Sequence, residues 1–517
     1  MSPAPALGSD AKRRTERCAM SEHLRLRRAL AAAIILMILT SCGGTSTTSL
    51  SETSPTLVAP TVSGIAPEPR PASPTDTVPA PLPTAGSTAP TASAAPATPA
   101  VGFPVADWPT YHRDNTRAGV VTGAPNPQRL TEAWRQSLDG AVYAEPLVVS
   151  GRVVVATEAN SLYALAARTG QIQWRTTVGT PVRLADLPCG NIDPLGITGT
   201  PVYDPHTGLV FAVAEIGGPA HVLVGVDVQT GAVKVRRSAD PPGMAPGAQQ
   251  QRAALALAGS RVYIAYGGLY GDCGNYHGWV VAAQTDGHGP LLAYQVPTTR
   301  EGGIWAPSGP ALDAAGALYV SVGNGEATSG SWDHSDAVLR LSATLQLEDG
   351  FAPATWPQDN AADADLGSTG PLLLPNGWVF AAGKSGQGYL LHAGALGGVD
   401  GQAWTGAICS AYGGAAALGT SLFVPCADGL RQAQLDPAGQ LTLGWQAPRQ
   451  ISGSPIVGGH TVYALDPHGT LYALDSATGA VRASMAIGPT SRFATPTLAG
   501  DQVLIGTLTG VSAVTIG

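Results

Sequence analysis

Residues Val462 to Val481 read Val-Tyr-Ala-Leu-Asp-Pro-His-Gly-Thr-Leu-Tyr-Ala-Leu-Asp-Ser-Ala-Thr-Gly-Ala-Val, and the same pattern stands twice more far upstream. Leu162 to Trp174 reads Leu-Tyr-Ala-Leu-Ala-Ala-Arg-Thr-Gly-Gln-Ile-Gln-Trp, and Leu223 to Val235 reads Leu-Val-Gly-Val-Asp-Val-Gln-Thr-Gly-Ala-Val-Lys-Val. Each copy is an apolar β run, a Thr-Gly turn and a second β run. A strand–turn–strand unit cannot bury both faces alone, so copies must stack or close into a ring. Apolar starts recur near Pro146, Pro201, Ala253, Pro310, Pro371, Gly413, Pro455 and Pro496, about forty to sixty residues apart. That spacing is the length of a propeller blade.

The last start leaves room for two or three strands before Gly517, not four. Leu130-Thr-Glu-Ala-Trp-Arg135 has the character of a repeat-closing strand, yet no repeat precedes it. Joining the two removes both open sheet edges at once. The prediction is an all-β chain, an eight-bladed antiparallel β-propeller closed by an N-terminal strand. Seven blades, with the Gly413 unit merged into a neighbour, is the fallback.

Ahead of the repeats lie two segments of different character. Arg25, Arg27 and Arg28 precede an apolar run from Ala29 to Leu39 that ends in Leu39-Thr40-Ser41-Cys42. A basic stretch, a short apolar run and small residues before a cysteine make an export signal too short to span a membrane. Residues 1–41 are therefore expected to be a lipoprotein signal peptide, with Met20 as the natural start and Cys42 as the lipidated residue. From Gly43 to Ala100 there are twelve prolines, four charges and no aromatic residue. Such a composition cannot bury enough apolar area to offset its ordering entropy. Residues 42–101 are expected to be a Pro-stiffened tether, and residues 102–517 the folded domain.

Removing seven basic and three acidic residues with the signal takes the chain from 28 basic and 36 acidic residues to 21 and 33. That acidic balance, with only Lys234 and Lys384 as lysines, excludes a nucleic-acid partner. Apart from Cys42, the remaining cysteines are Cys189, Cys273, Cys409 and Cys426, an even set that suits disulfides in an exported chain. Cys409 and Cys426 flank a hairpin near Gly419-Thr420, and by elimination Cys189 would join Cys273; buried free thiols are the other reading. The ten histidines form neither His-x-His nor His-Glu-x-x-His, which argues against zinc.

The repeat Leu-Tyr-Ala-Leu-x-x-x-Thr-Gly-x-x-x-Trp and the opening Trp108-Pro-Thr-Tyr-His-Arg-Asp-Asn-Thr-Arg-Ala-Gly resemble the tryptophan-docking propellers of the pyrroloquinoline quinone (PQQ) family. The resemblance covers about Asp107 to Gly517. It implies the propeller fold, but it spans quinone dehydrogenases and a cofactor-free outer-membrane assembly lipoprotein alike. A dehydrogenase site would hold PQQ over a tryptophan, with calcium on oxygen ligands and a carboxylate as base. By resemblance, Trp305 in Gly302-Gly-Ile-Trp would stack on the quinone, and Lys384 in Gly383-Lys-Ser-Gly would touch its carbonyl. Asn324 in Gly-Asn-Gly and Glu215 would be the metal ligands. Asp336 in Trp332-Asp-His-Ser-Asp would be the base.

Four of these residues also have an ordinary structural reading: blade packing for Trp305, a hairpin turn for Asn324, a turn cap for Asp336 and a solvated loop charge for Lys384. The chain lacks the adjacent cysteine pair of the alcohol-oxidising members and carries no Cys-x-x-Cys-His haem motif. The leading expectation is a monomeric, lipid-anchored extracytoplasmic scaffold on a bacterial cell membrane, binding envelope proteins or glycans. The alternative is a PQQ- and calcium-dependent dehydrogenase of a sugar or alcohol.

Overall fold

A computed structural model describes residues 107–517. The expected signal, Cys42 and the whole of the tether therefore lie outside the described residues. Eight antiparallel sheets follow one another along the chain. The first comprises Leu147–Val149, Arg152–Ala156, Ser161–Ala166 and Ile172–Thr177, running from inside to outside in chain order. The remaining inner strands are Val202–Asp204, Ala256–Ala258, Ala311–Leu312, Leu372–Leu374, Ala416–Leu418, Ile456–Gly458 and Thr497–Ala499. The Gly413 unit thus forms its own blade, the sixth, and the ring has eight.

Burial falls from the inner strands outward. In the first blade Leu147–Val149 is wholly buried, while Ile172–Thr177 is exposed or half-exposed throughout. Inner and middle strands are covered on both faces by neighbouring blades, so they read as near-continuous apolar runs. Leu147, Val154 and Leu162 of the first blade, for example, share one core cluster with Val210, Ala212 and Val224 of the second.

The Thr-Gly turns of the repeat lock one blade to the next. Asp227 Oδ1 accepts from the backbone N–H groups of Gln229 and Thr230 and from the Thr230 hydroxyl, which shapes the turn. Gly231 then adopts a φ of 74°. The indole of Trp174, from the preceding blade, lies against it: a Cβ on Gly231 would sit 2.8 Å from that ring. Trp174 Nε1 donates to the Val228 carbonyl at 3.0 Å. Trp134 on Gly170 and Trp445 on Gly479 repeat the arrangement.

Ring closure follows the expected route. Leu130–Ser137 pairs antiparallel with Gly510–Ile516, from Leu130 opposite Ile516 to Ser137 opposite Gly510. The eighth blade therefore takes three strands from the end of the chain and its outer strand from the beginning.

Residues 108–121 form a second closure not evident in the repeat. The inner strand of each blade presents one unpaired edge to the axis, and this segment runs along those edges. The Pro109 carbonyl accepts from Tyr203 N–H at 2.8 Å, and the Asn115 carbonyl from Leu312 N–H at 2.8 Å. The Thr116, Ala118 and Gly119 carbonyls accept from Leu373, Ala417 and Val457 in turn. Trp108 exchanges backbone hydrogen bonds with Val148, and Asn115 Nδ2 donates to the Leu257 carbonyl at 2.9 Å. The collar thus touches seven successive inner strands. Arg117 anchors it, 1 % exposed, donating to Pro310, Leu255, Tyr111 and Thr110 oxygens at 2.9–3.1 Å.

Candidate functional site

The segments entering the inner strands carry the side chains that line the axis. Tyr143, Thr198, Arg252, Pro307, Tyr412, Ser452 and Phe493 each stand four residues before an inner strand, and each lines an axial cavity. Tyr111 of the collar shares a void of about 10 Å³ with Tyr143, Arg252 and Phe493. The last three also line a pocket of about 700 Å³, so they form the layer separating the two spaces.

Three of the sequence-derived candidates meet in that larger pocket: Trp305, Asn324 and Lys384. Trp305 does not close a repeat; it sits on the strand approach to the fourth blade. A Cβ on Gly267 would lie 2.7 Å from the Trp305 Cβ, and one on Gly323 would lie 3.2 Å from its Nε1. Bare glycines therefore let the tryptophan seat closely against the third and fourth blades. Lys384 Nζ lies 5.5 Å from the indole centroid, within cation–π range. Phe493 meets the indole edge-on, with ring centroids 6.5 Å apart. Asn324 is not a hairpin turn residue: Leu318–Val322 and Ala337–Leu341 are joined by a long loop, in which Asn324 Nδ2 approaches Glu301 Oε2 at 3.4 Å.

Lys384 is tied from below. Its ammonium lies 2.8 Å from Asp365 Oδ2, with Asp363 as a second partner at the pocket wall. Burial pushes the lysine pKa down, but the two carboxylates outweigh it and hold the ammonium above the ordinary lysine value. Burial lifts the Asp365 carboxyl to about 6 against the pull of Lys384.

The structure does not bring Glu215 and Asp336 to this pocket. Glu215 is 3 % exposed inside the second blade, where its Oε1 accepts from Gln251 N–H at 2.8 Å and lies 3.8 Å from His221 Nε2. His221 in turn meets Asp240 Oδ1 at 2.6 Å. Burial raises Glu215 to about 7, partly offset by His221. Asp336 lies one backbone layer beneath the pocket floor. Its N–H donates to the carbonyl of the lining residue Gly323 at 2.9 Å, and its Oδ1 accepts from Leu366 N–H at 2.6 Å. Burial, reinforced by Asp365, raises its carboxyl well above the usual range. Burial thus favours the protonated carboxyl over the carboxylate that a base requires.

These positions fail the requirements of a quinone–calcium centre. The two metal candidates do not share a cavity. The carboxylate beside Asn324, Glu301, is already paired with Arg300 at 2.5 Å. No redox step follows from this arrangement. Among the described residues the one compact group of metal-type side chains is Cys409, Cys426 and Asp428. Its two sulfurs are joined in a disulfide, which leaves no thiolate.

The pocket contains residues that the motif search passed over. Arg252 lies 4.5 Å above the Phe493 ring, and Arg492 lies 4.2 Å from the Tyr412 centroid and 5.7 Å from that of Phe493. For Arg252 the available signal was positional, since the residue four ahead of seven of the eight inner strands lines the axis; Arg492 stands five ahead of Thr497 and carries no such signal. A disulfide stiffens the rim. Cys189 pairs with Cys273, and a Cβ on the lining residue Gly271 would lie 3.4 Å from Cys189 Sγ.

Relatives agree with this architecture. No curated protein matches the chain in sequence. Among solved structures, quinohemoprotein alcohol dehydrogenase from Comamonas testosteroni is 15 % identical, with a TM-score of 0.61 and 80 % of each chain covered. A europium-containing methanol dehydrogenase is 15 % identical at a TM-score of 0.62, covering 78 % of this chain and 90 % of that one. BamB from Moraxella catarrhalis is 15 % identical at a TM-score of 0.53, covering 75 % of this chain and all of that one. At this identity the likeness concerns the fold alone. The family model described as outer membrane protein assembly factor BamB matches residues 130–268 and 354–516, more than half of the sequence. The chain thus belongs to that family of PQQ-like repeat propellers.

Proposed function

We propose that this protein is a non-catalytic binding scaffold of the bacterial envelope, displaying the axial pocket and its rim to envelope proteins or glycans. One observation carries the reading. The pocket gathers aromatic faces, amides and cations; its own carboxylates, Asp272 and Asp363, are engaged by Tyr276 and Lys384, and the two that resemblance assigned to oxidation, Glu215 and Asp336, are buried and hydrogen-bonded elsewhere. Family membership and two disulfides point to an extracytoplasmic compartment. Attachment through a diacylated Cys42 and a tether over residues 42–101 would hold the propeller clear of the membrane, since two acyl chains anchor stably where one is marginal.

Two experiments test this. The purified full chain, incubated with PQQ and calcium, is expected to reduce no dye with sugars or alcohols as substrates. Substrate-dependent reduction would overturn the scaffold reading in favour of a dehydrogenase. For the anchor, Cys42→Ser is expected to move the protein from washed membranes to the soluble fraction, and continued membrane retention would refute lipidation.

A further inference from the structure

The pocket's polar groups are unevenly satisfied, and the imbalance has a sign. Lys384 has its carboxylates, but neither Arg252 nor Arg492 forms an ion pair among the described residues. They flank Phe493, and Arg252 Nε is a buried donor without a partner. Burial and the like charge of Arg492 push the Arg252 pKa down. Glu158, the acid that acts on Arg252, is itself lifted to about 8 by burial. Beside these guanidinium groups, Thr490 and Ser491 line the pocket at 6 % and 8 % exposure, and both hydroxyls lack a hydrogen-bond partner. Buried polar groups are ordinarily satisfied, so unpaired donors converging on a cavity mark where a ligand supplies the acceptors. Two arginines with hydroxyls beside them suit a planar carboxylate.

Next to this cationic group, across the Phe493 ring, the pocket carries a different chemistry. Trp305 presents its ring to the pocket, and Tyr270 stands 69 % exposed at the rim. The same pocket is lined by the amides of Asn191, Gln250 and Asn324, each able to donate and accept. Aromatic faces with amide side chains suit a polyhydroxylated ring.

We infer that the axial pocket is a receptor site for a carboxylate-bearing sugar, with its acid group at the Arg252 and Arg492 cations and its ring against Trp305. This rests on the reading of the pocket face as a binding surface and names the ligand class that face would take.

The full chain is titrated calorimetrically with a disaccharide ending in glucuronate, with its neutral glucose counterpart and with inorganic phosphate. The acidic disaccharide is expected to bind at least about tenfold more tightly than the neutral one, the scale of one charge-assisted hydrogen-bonded pair. Arg492→Gln, at an exposed position, should erase that preference without changing the melting temperature, and Arg492→Lys should retain part of it. Arg252→Gln provides the second arm. Equal binding of the two sugars, an acid preference surviving both glutamine variants, or phosphate binding as well as the glucuronide would each overturn the inference. The dye-reduction assay separates the two levels: turnover with PQQ sinks the scaffold reading, whereas no turnover and no acid preference sinks only the assignment of ligand.

Discussion

The indole Nε1 of Trp445 donates to the carbonyl of Ser476 at 3.0 Å, across the boundary between the sixth and seventh blades. The ring then lies so close to Gly479 that a Cβ there would stand 2.6 Å from it, at a backbone φ of 71°. Gly479→Ala should therefore destabilise twice over, through left-handed strain and through displacement of the indole, by about 2–4 kcal/mol. Gly419 has a similar φ of 60° but open space around its Cβ position. Gly419→Ala should lose only the strain, about 1–2 kcal/mol. Urea unfolding of both variants measures the difference, and equal shifts would show that the docked indole contributes nothing.

Arg117 is the buried cation of the collar, and its partners are mostly backbone carbonyls. Arg117→Met keeps the bulk of the side chain but strands the Pro310 and Tyr111 carbonyls in the interior, while the Leu255 carbonyl keeps the Thr110 hydroxyl. Unsatisfied buried groups cost about 1–3 kcal/mol each, so the variant should lose about 3–5 kcal/mol. A melting temperature equal to that of the unaltered protein would mean that the collar does not hold the ring.

The two disulfides should differ in what they contribute. Cys189–Cys273 closes a separation of 84 residues and Cys409–Cys426 one of 17. In the chain-entropy picture these correspond to about 4.5 and about 3 kcal/mol. Serine replacement of each pair, followed by unfolding measurements, should rank them in that order. Loss of the first should also weaken any ligand of the pocket, because Asn191 and Gly271 line it beside that bond. Peptide mapping without reductant checks the pairing itself.

Stability should fall as pH rises from 6.5 to about 8. Burial pushes both Glu145 and Glu158 to about 8, so each keeps a proton in the folded chain that the unfolded chain releases above about 4.5. Their stabilising contribution is lost as pH climbs towards 8 and is flat beyond it. His112, pushed down to about 3 by burial, works in the opposite direction only up to its unfolded value of 6.5. Above 6.5 the raised groups Glu215, Asp336 and His221 add to the same decline, so the share of Glu158 is read from its variant, with a limiting slope of about 1.4 kcal/mol per pH unit for each glutamate. Calorimetry at pH 6.5, 7.5 and 8.5 should show the decline, and Glu158→Gln should make it shallower.

The ring was legible because its signals repeat. All eight inner strands begin within three residues of the apolar starts, and the unpaired Leu130–Arg135 segment revealed the closure. The collar was not legible, since Trp108 to Gly119 occurs once and its hydrogen bonds come from backbone, which any sequence supplies. The site was half legible. Trp305, Asn324 and Lys384 lie on segments that enter the pocket, so local resemblance carried them there. Glu215 sits in the strand Leu209–Ile216, where moving one residue turns a side chain to the opposite face. Asp336 has a φ of 48°, a local backbone turn that no propensity discloses. Arg252 and Phe493 belong to no motif and emerge only when the blades are aligned on their inner strands.

The collar also decides how this molecule bears load. Tension on the chain upstream of Trp108 enters the propeller at its axle, not at the rim of a single blade. There it is shared among hydrogen bonds to Val148, Tyr203, Leu257, Leu312, Leu373, Ala417 and Val457. Pulling the chain free would mean breaking the hub one spoke at a time, while the outer strand Leu130–Ser137 stays clasped to the far end of the same polypeptide.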